Sequence, residues 1–436
     1  MKLNFESIPN TVQFEMTYSC NSNCIFCYNP NRGIIVDKAI TNNIVDILSG
    51  SNIYHIQLTG GELSLVPQIN EYIKKLKHNH AVTIVTNGLK KIENLYNKLD
   101  AVFVSLHGQK ETHEYLTNNK NTYEMIINTI KYYVDIGIDV YTDTILTSRN
   151  YNELYSIVET AKKIGVKKCY INRYEIGGIG SKEVISLMPN LEQFKVGISQ
   201  MIKAKKNFNI DVGFCTAIPF CIDARLAEEN LDVSCGIGTT FGVINPVGDL
   251  RICNQSNKIY GNILTEPIEK IWKKNSLNDY RCMKWVKEPC KSCRILDKCI
   301  AGCRVDNNCS DDFCIDYYLR KFTLDVNIRE KNIDNYIRTK RKKVNECKNI
   351  SITLDMVLSI EKNVIIDEVS CTVKNGFILI NTDKYGIKIL KLIDQNMNRI
   401  DIIADKLKDE MSYQEIKNFI CDMMYHKIIS STSNAA

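Results

Sequence analysis

The sequence predicts an α/β protein with a partial (β/α)6 TIM-like barrel, a cysteine-rich extension and a small winged-helix-like C-terminal domain. Strand-like runs alternate with helical patterns over residues 1–205, cysteines crowd residues 206–320, and strand-like segments precede three helical stretches after residue 350. Such alternation is typical of a parallel sheet built from βα units. We therefore expect a barrel domain at 1–205, a cysteine-rich domain at 206–320, a linker at 321–349 and a C-terminal domain at 350–436.

The barrel prediction depends on short apolar strands that are separated by amphipathic helices. The predicted strands are Val12–Met16, Tyr54–Leu58, Val82–Val85, Val102–Leu106, Asp139–Thr144 and Lys168–Ile171. The predicted helices are Lys38–Leu48, Val66–Leu76, Ile92–Leu99, Tyr123–Ile136 and Asn152–Ile164. Ligand sites on such sheets lie at the carboxyl ends of the strands, so polar residues there are candidates for the active site.

The composition indicates an ordinary water-soluble protein with many cysteines. The chain has 436 residues, a formal net charge of +6 and 18 cysteines. We expect a cytoplasmic protein without a membrane partner, because no apolar run has the length of a signal peptide or a membrane span. The cytosol keeps thiols reduced, so we expect these cysteines to bind metal. The modest charge suits an acidic peptide and does not require nucleic acid.

Three cysteines, Cys20, Cys24 and Cys27, lie within eight residues just after the first predicted strand. Soft thiolates on one loop can hold three irons of a [4Fe–4S] cluster and leave the fourth iron open to a small molecule. A zinc site is one alternative, although zinc cysteines usually come in C-x2-C pairs. Simple burial of the thiols is another. The C-x3-C-x-Phe-C spacing favours the cluster.

Polar or glycine residues also follow the later predicted strands. Gly60, Gly61 and Glu62 follow the second strand, and paired glycines allow a close approach of the backbone to a ligand. Ser105 lies near the end of the fourth strand, and Arg173 lies just past the sixth. Arg173 is either a carboxylate-binding residue or an ordinary surface arginine.

The cysteine loop, with Phe26 before its last cysteine, resembles the cluster loop of radical S-adenosylmethionine (SAM) enzymes. The residues that follow, up to Arg173, repeat that family's order of landmarks. The resemblance implies a [4Fe–4S] cluster on Cys20, Cys24 and Cys27 that binds SAM. The SAM contacts that it implies are Phe26, Gly60, Gly61, Glu62, Ser105 and Arg173.

A second pattern covers the extension. Cys235 is followed by twelve residues, Gly248, four residues and Cys253, and later by a C-x2-C-x5-C-x3-C run. This resembles the SPASM extension of radical SAM enzymes, which holds two auxiliary [4Fe–4S] clusters. The resemblance implies a first auxiliary cluster on Cys235, Cys253 and Cys303, with Cys221 as a plausible fourth ligand. The second auxiliary cluster would take Cys290, Cys293, Cys299 and either Cys314 or Cys309.

Two positions depart from patterns found in related enzymes, the first of them in the sulfatase maturases. An Asp that serves as their base follows the cysteine that matches Cys253, but this chain has Asn254, which takes up no proton at neutral pH. His107 stands where relatives often have Asp. We interpret His107 as a polar strand-end residue in preference to a proton donor. The Asn254 departure argues against a sulfatase maturase.

The C-terminal residues resemble the peptide-recognition element of enzymes that modify ribosomally made peptides. Strand-like segments, Asn363–Val373 and Gly376–Asn381, precede helical stretches at Asp383–Leu392, Arg399–Leu407 and Tyr413–Tyr425. Such a module offers an edge strand to which a leader peptide can add, here Gly376–Ile380, with the last helix as the floor of the groove. A DNA-binding winged helix is the alternative, although the last helix has few basic residues.

Together the resemblances imply a radical SAM/SPASM enzyme that modifies a ribosomally synthesised precursor peptide. A 5′-deoxyadenosyl radical would abstract hydrogen from the peptide and lead to an intramolecular crosslink, a thioether first and a C–C bond second. The expected partners are the leader of the precursor peptide and a flavodoxin- or ferredoxin-like electron donor. The alternatives are a peptide epimerase, a sulfatase-type side-chain maturase and, more remotely, an iron–sulfur electron carrier or regulator with a DNA-binding tail.

Overall fold

The computed structural model describes the chain except for residues 1, 2, 4, 6, 30, 31, 33–35, 97, 306–312, 322, 323, 349–352, 362, 363, 368–371, 376, 377, 427 and 433–436. It divides into two compact units, Met1–Tyr336 and Ile337–Ala436. No described helix is both long enough and apolar enough to cross a membrane.

The first unit is organised on one sheet. Its strands are β1 (Thr11–Thr17), β2 (His55–Gly60), β3 (Ala81–Thr86), β4 (Ala101–Ser105), β5 (Val140–Leu146), β6 (Lys168–Arg173), β7 (Asp211–Phe214), β8 (Phe241–Ile244), β9 (Asp249–Arg251) and β10 (Gly261–Asn262). The sheet order is β10-β9-β8-β1-β2-β3-β4-β5-β6-β7. Neighbours from β8 through β1 to β7 run parallel, whereas β9 and β10 pair antiparallel. Strands of the cysteine-rich extension therefore continue the barrel sheet.

Helices connect and cover these strands. They are α1 (Lys38–Ser49), α2 (Ile69–Leu76), α3 (Lys110–Thr117), α4 (Tyr123–Asp135), α5 (Leu154–Lys163), α6 (Val184–Leu187), α7 (Leu191–Phe208), α8 (Arg225–Glu228), α9 (Ile268–Trp272), α10 (Asn275–Arg281), α11 (Leu296–Cys299), α12 (Tyr317–Lys321) and α13 (Val326–Lys348). The side chain of Asp37 caps α1 by accepting a hydrogen bond from the Ala39 N–H, which satisfies a donor that the first helical turn leaves free.

The predicted α/β barrel is confirmed, and the structure corrects one helix prediction. The described residues of Ile92–Leu99 form turns and irregular chain, and Asn94 adopts a left-handed φ of 52° that interrupts a helix. Ile92, Leu95 and Leu99 are buried at helical spacing, so the spacing reflects core filling from a loop. The sequence analysis also missed α3, a short helix with few apolar residues.

The second unit is a small α/β module. It contains β11 (Val357–Ile360), β12 (Val364–Asp367), β13 (Thr372–Asn375), β14 (Ile378–Asn381), α14 (Lys384–Asp394), α15 (Ile400–Leu407), α16 (Tyr413–Tyr425) and β15 (Ile429–Thr432). The strands β12, β13 and β14 form an antiparallel meander, and β11 pairs with β15. Residues of α14, α15 and α16 share one apolar core.

The structure changes two predictions for the chain after residue 321. The single strand expected at Asn363–Val373 contains two strands, β12 and β13, with residues 368–371 between them outside the described chain. The basic run at residues 338–343, expected as part of a linker, lies within the helix α13. Lys and Arg are good helix formers, so a basic run is compatible with a helix whose face is solvated.

Candidate active site at the carboxyl ends of the strands

The cysteine loop follows β1 and is tied to its surroundings by backbone hydrogen bonds. Ile25 N donates to Leu116 O at 3.0 Å, and Cys27 N donates to Cys24 O at 3.3 Å. The Oγ of Ser22 lies 3.2 Å from the Sγ of Cys24. These bonds hold the short loop that carries all three predicted cluster ligands against α3.

Among the described residues, no three His, Cys, Asp or Glu side chains form a group that could hold one metal ion. Thiolates of an iron–sulfur cluster each bind a different iron, so the predicted cluster does not require such a group. Burial raises the pKa of Cys24 to about 12, with the Ser22 hydroxyl opposing the rise. The thiol therefore needs the charge of bound iron to become a thiolate, and iron binding would release protons.

A glycine-rich turn after β6 covers the same loop. Gly180 N donates to Cys27 O at 2.9 Å. A Cβ on Gly178, whose φ is +54°, would overlap the backbone of Tyr28, and one on Gly180 would meet the backbone of Phe26. The close approach explains why glycines occupy these positions.

Gly60 and Gly61 perform a similar function against β1. A Cβ on Gly61 would overlap the carbonyl oxygen of Ser19, and one on Gly60 would overlap that of Thr17. Gly61 N donates to Thr17 O at 2.6 Å. The two glycines therefore hold the residues that lead into Cys20. Their predicted contact with SAM stays a prediction.

Glu62 is fully buried and organises the neighbouring turn. Its carboxylate accepts hydrogen bonds from the Thr86 hydroxyl at 2.7 Å, from Ser64 N at 2.9 Å and from Asn87 N at 2.8 Å. Burial raises the pKa of Glu62, and the bonds from Asn87 and Ser64 oppose that rise. Asn87 Nδ2 in turn lies 3.7 Å from Cys20 Sγ, so Glu62 positions a neighbour of the cysteine loop.

Phe26 and His107 pack against each other beside the loop. Phe26 belongs to an apolar cluster with Leu116, Tyr174 and Leu187, and its ring meets the His107 ring edge-on at 4.7 Å between centroids. His107 Nδ1 accepts a hydrogen bond from Ile145 N at 3.2 Å. Burial lowers the pKa of His107 well below its ordinary range. His107 is therefore a neutral, buried strand-end histidine, as the sequence analysis preferred.

Ser105 ends β4 beside a carboxylate that the sequence analysis missed. Ser105 is in register with Asp143 of β5, and Asp143 Oδ1 accepts a hydrogen bond from Asn172 Nδ2 at 2.6 Å. Burial raises the pKa of Asp143 to about 7, and the Asn172 hydrogen bond opposes the rise. An acid that titrates near neutral pH beside the end of a strand can exchange protons with a ligand. Its signal in the sequence was a single acid inside an apolar strand.

Arg173 corrects the prediction that it holds a carboxylate of SAM or substrate. The side chain is 3% exposed, and Nη2 donates to Asp316 Oδ1 at 3.1 Å while Nη1 binds Asp316 Oδ2. Nη1 also donates to Ala217 O at 3.2 Å. The carboxylate that Arg173 holds therefore belongs to the chain itself, and Arg173 is neither a surface residue nor a free anion binder.

The predicted first auxiliary set, Cys235, Cys253 and Cys303, has Glu175 beside it. The Oε1 of Glu175 lies 3.8 Å from Cys303 Sγ. Burial raises the pKa of Cys253, and the charges of Glu175 and Cys235 add to the rise. Cys303 also has its pKa raised, by burial first and by Glu175 next. The set therefore lies together with a carboxylate that the sequence analysis missed.

Cys221, which the resemblance implies as a plausible fourth ligand of the first set, lies near cysteines predicted for the second set. Burial raises the pKa of Cys221, and the neighbouring thiols of Cys299, Cys290 and Cys293 raise it further. The backbone N–H of the preceding residue, Phe220, points to Cys299 Sγ at 3.5 Å. Sequence spacing could not reveal this, because Cys221 lies far from the run in sequence and reaches it only in the fold.

The other predicted ligands of the second set remain predictions. Cys314 is buried, and its N–H donates to Arg304 O at 3.1 Å. Cys309 lies outside the described residues. Cys221 is therefore, like Cys314, a candidate for the fourth ligand of the second set.

Comparison with known protein families decides the identity. Residues 14–164 match the model of the radical SAM superfamily. Residues 235–294 match that of the SPASM iron-sulfur cluster-binding domain. The protein is a radical SAM/SPASM enzyme. It accordingly uses SAM and an iron–sulfur cluster, and the loop at Cys20, Cys24 and Cys27 stays the predicted site of that cluster.

Two of its curated relatives are named as a peptide cyclase and a maturase. The PqqA peptide cyclase of Methylorubrum extorquens is 24% identical over 306 residues, which are 66% of this chain and 79% of the relative. The mycofactocin maturase MftC of Mycobacterium tuberculosis is 24% identical over 314 residues, which are 68% of this chain and 78% of the relative.

Solved structures share the fold. SuiB of Streptococcus suis, bound to its precursor peptide SuiA, superposes with a TM-score of 0.58 at 17% identity, over 69% of this chain and 73% of that one. The anSMEcpe structure with bound AdoMet gives a TM-score of 0.59 at 17% identity, over 77% of this chain and 99% of that one.

The tight approach of Gly61 to Ser19 predicts that Gly61→Ala destabilises the protein by about 1–3 kcal/mol, because the added methyl group must displace backbone. Iron in the first cluster should fall with it. Urea denaturation and iron analysis measure both effects. The control is Gly213→Ala in β7, where a Cβ meets only side-chain atoms at 3.7–3.8 Å. Equal stability of the two variants would contradict the role given to Gly61.

The raised pKa of Asp143 predicts a pH-dependent gain in stability from Asp143→Asn. Between about pH 4 and pH 7 the folded state keeps a proton that the unfolded state has lost, so the contribution of Asp143 to stability falls as pH rises, by up to about 1.4 kcal/mol per unit. The gain from Asn should therefore be larger at about pH 8 than at about pH 5. Urea denaturation measures it.

The control for Asp143 is Asp139→Asn, which removes a carboxylate just before β5 that pairs with Lys167 at the surface. Its effect should not grow from low to high pH. A pH-independent effect of Asp143→Asn would show that Asp143 does not titrate in this range.

Proposed function

We propose that this enzyme modifies a ribosomally synthesised precursor peptide and installs an intramolecular crosslink, most favourably a thioether and next a C–C bond. The observation that carries the proposal is the presence, in one compact unit, of a radical SAM cysteine loop and two further sets of cysteines. The named activities of the curated relatives support a peptide substrate.

The cluster and SAM, when bound, would supply the radical chemistry. When bound, the cluster and SAM provide a 5′-deoxyadenosyl radical that takes a hydrogen atom from the peptide. We further propose that the two sets of cysteines hold two auxiliary [4Fe–4S] clusters, as electron acceptors or as binding sites for a substrate thiol. A flavodoxin- or ferredoxin-like protein is the proposed electron donor, and the thiol-rich chain suits the reducing cytoplasm.

The chain's own residues would orient the peptide and manage protons. Asp143, with Asn172 beside it, lies level with the carboxyl end of β4, close to where ligands of such sheets bind. Because its pKa is about 7, Asp143 can accept a proton that leaves a peptide thiol or amide during crosslinking. Asn254 remains an argument against a sulfatase-type maturase, because an amide cannot take up that proton.

One observation favours peptide epimerisation as a second candidate. Cys215 directly follows β7 at its carboxyl end, and its N–H donates to Ile171 O at 3.3 Å. Cys215 is exposed, and desolvation of its thiol together with the charge of Asp143 raises the pKa of that thiol. The thiol therefore stays protonated near Asp143. An epimerase needs such an S–H group to return a hydrogen atom to the peptide radical.

Mass spectrometry of the peptide encoded beside the gene distinguishes the two functions. The peptide is incubated anaerobically in heavy water with reconstituted enzyme, SAM and a reductant. Loss of two hydrogens, one of them from a cysteine thiol, would establish a thioether synthase. Uptake of one deuterium without other change, abolished by Cys215→Ala, would establish an epimerase and contradict the crosslink. The matched control is Cys282→Ala, whose half-buried thiol donates to Asp279 O in α10.

The C-terminal unit is the proposed site of leader binding. The strand β14 forms one edge of the meander, where an extended peptide can pair with its backbone. The other edge, β12, borders a groove of about 370 Å³ lined by Ile360, Val364, Ile366, Lys391, Asp394 and Gln395. A leader peptide therefore has two candidate edges, of which the proposal selects β14.

Proline substitutions distinguish these edges. N–H groups alternate along a strand, so one of Leu379→Pro and Ile380→Pro removes an outward donor of β14. That variant should weaken leader binding about tenfold, the loss expected from roughly 1.4 kcal/mol of hydrogen bonding. Fluorescence anisotropy of a labelled leader measures the affinity, and circular dichroism confirms folding. Matched variants of β12, Ile365→Pro and Ile366→Pro, should leave affinity unchanged. The opposite result would place the leader at β12.

A further inference from the structure

Glu175 occupies an unusual place between the barrel and the extension. It lies two residues past the end of β6, at the carboxyl edge of the sheet. Its Oε1 lies 3.8 Å from the Sγ of Cys303, a predicted auxiliary ligand that comes 128 residues later in sequence. The fold thus brings a carboxylate of the barrel to a cysteine of the extension.

The carboxylate faces the first auxiliary set. Its Oε1 is 3.8 Å from Cys303 Sγ, and Glu175 and Cys235 are both close enough to Cys253 for their charges to act on it. Glu175 therefore lies near the cysteines that are expected to hold one cluster.

The first set is left with three predicted cysteines if Cys221 belongs to the second set. Phe220 N points to Cys299 Sγ at 3.5 Å, and the thiols that act on Cys221 are those of Cys299, Cys290 and Cys293. Cys221 therefore lies with the second set. Three cysteines would leave one iron of a four-iron cluster without a protein ligand.

The two buried arginines nearby each bind another group. Arg173 binds Asp316 with both Nη atoms. Arg304 donates to Cys235 O at 2.7 Å and lies over the ring of Tyr280 at 5.1 Å. Glu175 itself is half-buried. Bound iron would pair with the charge of its carboxylate.

We propose that Glu175 is the fourth protein ligand of the auxiliary cluster held by Cys235, Cys253 and Cys303. The inference rests on the proposed presence of two auxiliary clusters. A carboxylate is a harder ligand than a thiolate and binds iron less tightly in a cluster. An iron held in this way is protected from loss but can still be exchanged, which suits a cluster that receives a substrate thiol.

The test uses the full chain with Cys20, Cys24 and Cys27 changed to Ala, so that only auxiliary clusters contribute to the signal. The reconstituted protein is treated with ferricyanide, which takes one electron from a [4Fe–4S]2+ cluster. An iron without a protein ligand then leaves as Fe2+, and a [3Fe–4S]+ cluster remains. Electron paramagnetic resonance measures the three-iron cluster, and a chelator assay measures the released iron.

Three substitutions separate ligation from hydrogen bonding. Glu175→Ala and Glu175→Gln should each increase formation of the three-iron cluster severalfold, because neither side chain replaces the carboxylate as a ligand. Glu175→Cys should suppress it to the level of the parent or below. If Glu175 served only as a hydrogen-bond partner, Glu175→Gln would behave like the parent. The control is Glu159→Ala, which removes a surface carboxylate that pairs with Lys163 at 3.0 Å in α5.

If the auxiliary clusters were absent, the experiment would give a different result. A parent protein that retains no iron would contradict the auxiliary clusters and the role of Glu175 together. The other outcome concerns Glu175 alone. The parent would retain iron, and its Cys253→Ala variant would retain about half as much. If the parent then forms as much three-iron cluster as its Glu175→Ala and Glu175→Gln variants, the role of Glu175 is overturned. Should Glu175→Ala bind no iron at all, the comparison of Glu175→Gln with Glu175→Cys still decides.

Discussion

The buried ion pair between Arg173 and Asp316 is the interaction on which the arrangement of this site depends. The pair joins the end of β6 to the last part of the extension, and both side chains are almost completely buried, at 3% and 0% exposure. Asp316 Oδ2 also accepts a hydrogen bond from Cys303 N at 2.8 Å, and Oδ1 accepts one from Tyr318 N at 2.9 Å. Breaking such a pair from one side costs about 3–5 kcal/mol, because a buried charge is left uncompensated. Its geometry therefore decides where Cys303 stands relative to the barrel.

Other contacts of the same kind bring the remaining parts of the site together. Glu15 of β1 pairs with Arg251 of β9 in the interior, so that the strand before the cysteine loop is joined to the strand before Cys253. The parallel pairing of β8 with β1 has the same effect at the level of the backbone. The first cluster loop and the first auxiliary set are thus attached to nearby strands of one sheet. A radical site and an electron-accepting site benefit from such a fixed relation, since neither can be reoriented independently.

Much of the fold and part of the site could be predicted from the sequence. The six predicted barrel strands correspond to β1–β6, because buried parallel strands produce short, continuous apolar runs that pattern analysis detects well. The helix predicted at residues 92–99 is wrong. Its buried apolar residues follow a helical spacing, but the left-handed backbone of Asn94 interrupts a helix. Asp143 and Glu175 escaped notice for another reason. A single acid in or after a strand has no local signature, and its meaning comes from burial and from residues distant in sequence.

The sequence by itself determined the chemistry available to this protein: a three-cysteine loop after the first strand, glycines where backbones must touch, and a spaced series of cysteines in the extension. Those features are local, and local spacing is sufficient to recognise them. Only the tertiary structure brings Cys221 close to Cys299 and Glu175 close to Cys303 across long stretches of chain. It likewise shows that Arg173, which was a candidate ligand-binding residue in the sequence, pairs with Asp316. Burial and long-range proximity set the charge and role of a side chain, and neither is encoded in spacing alone.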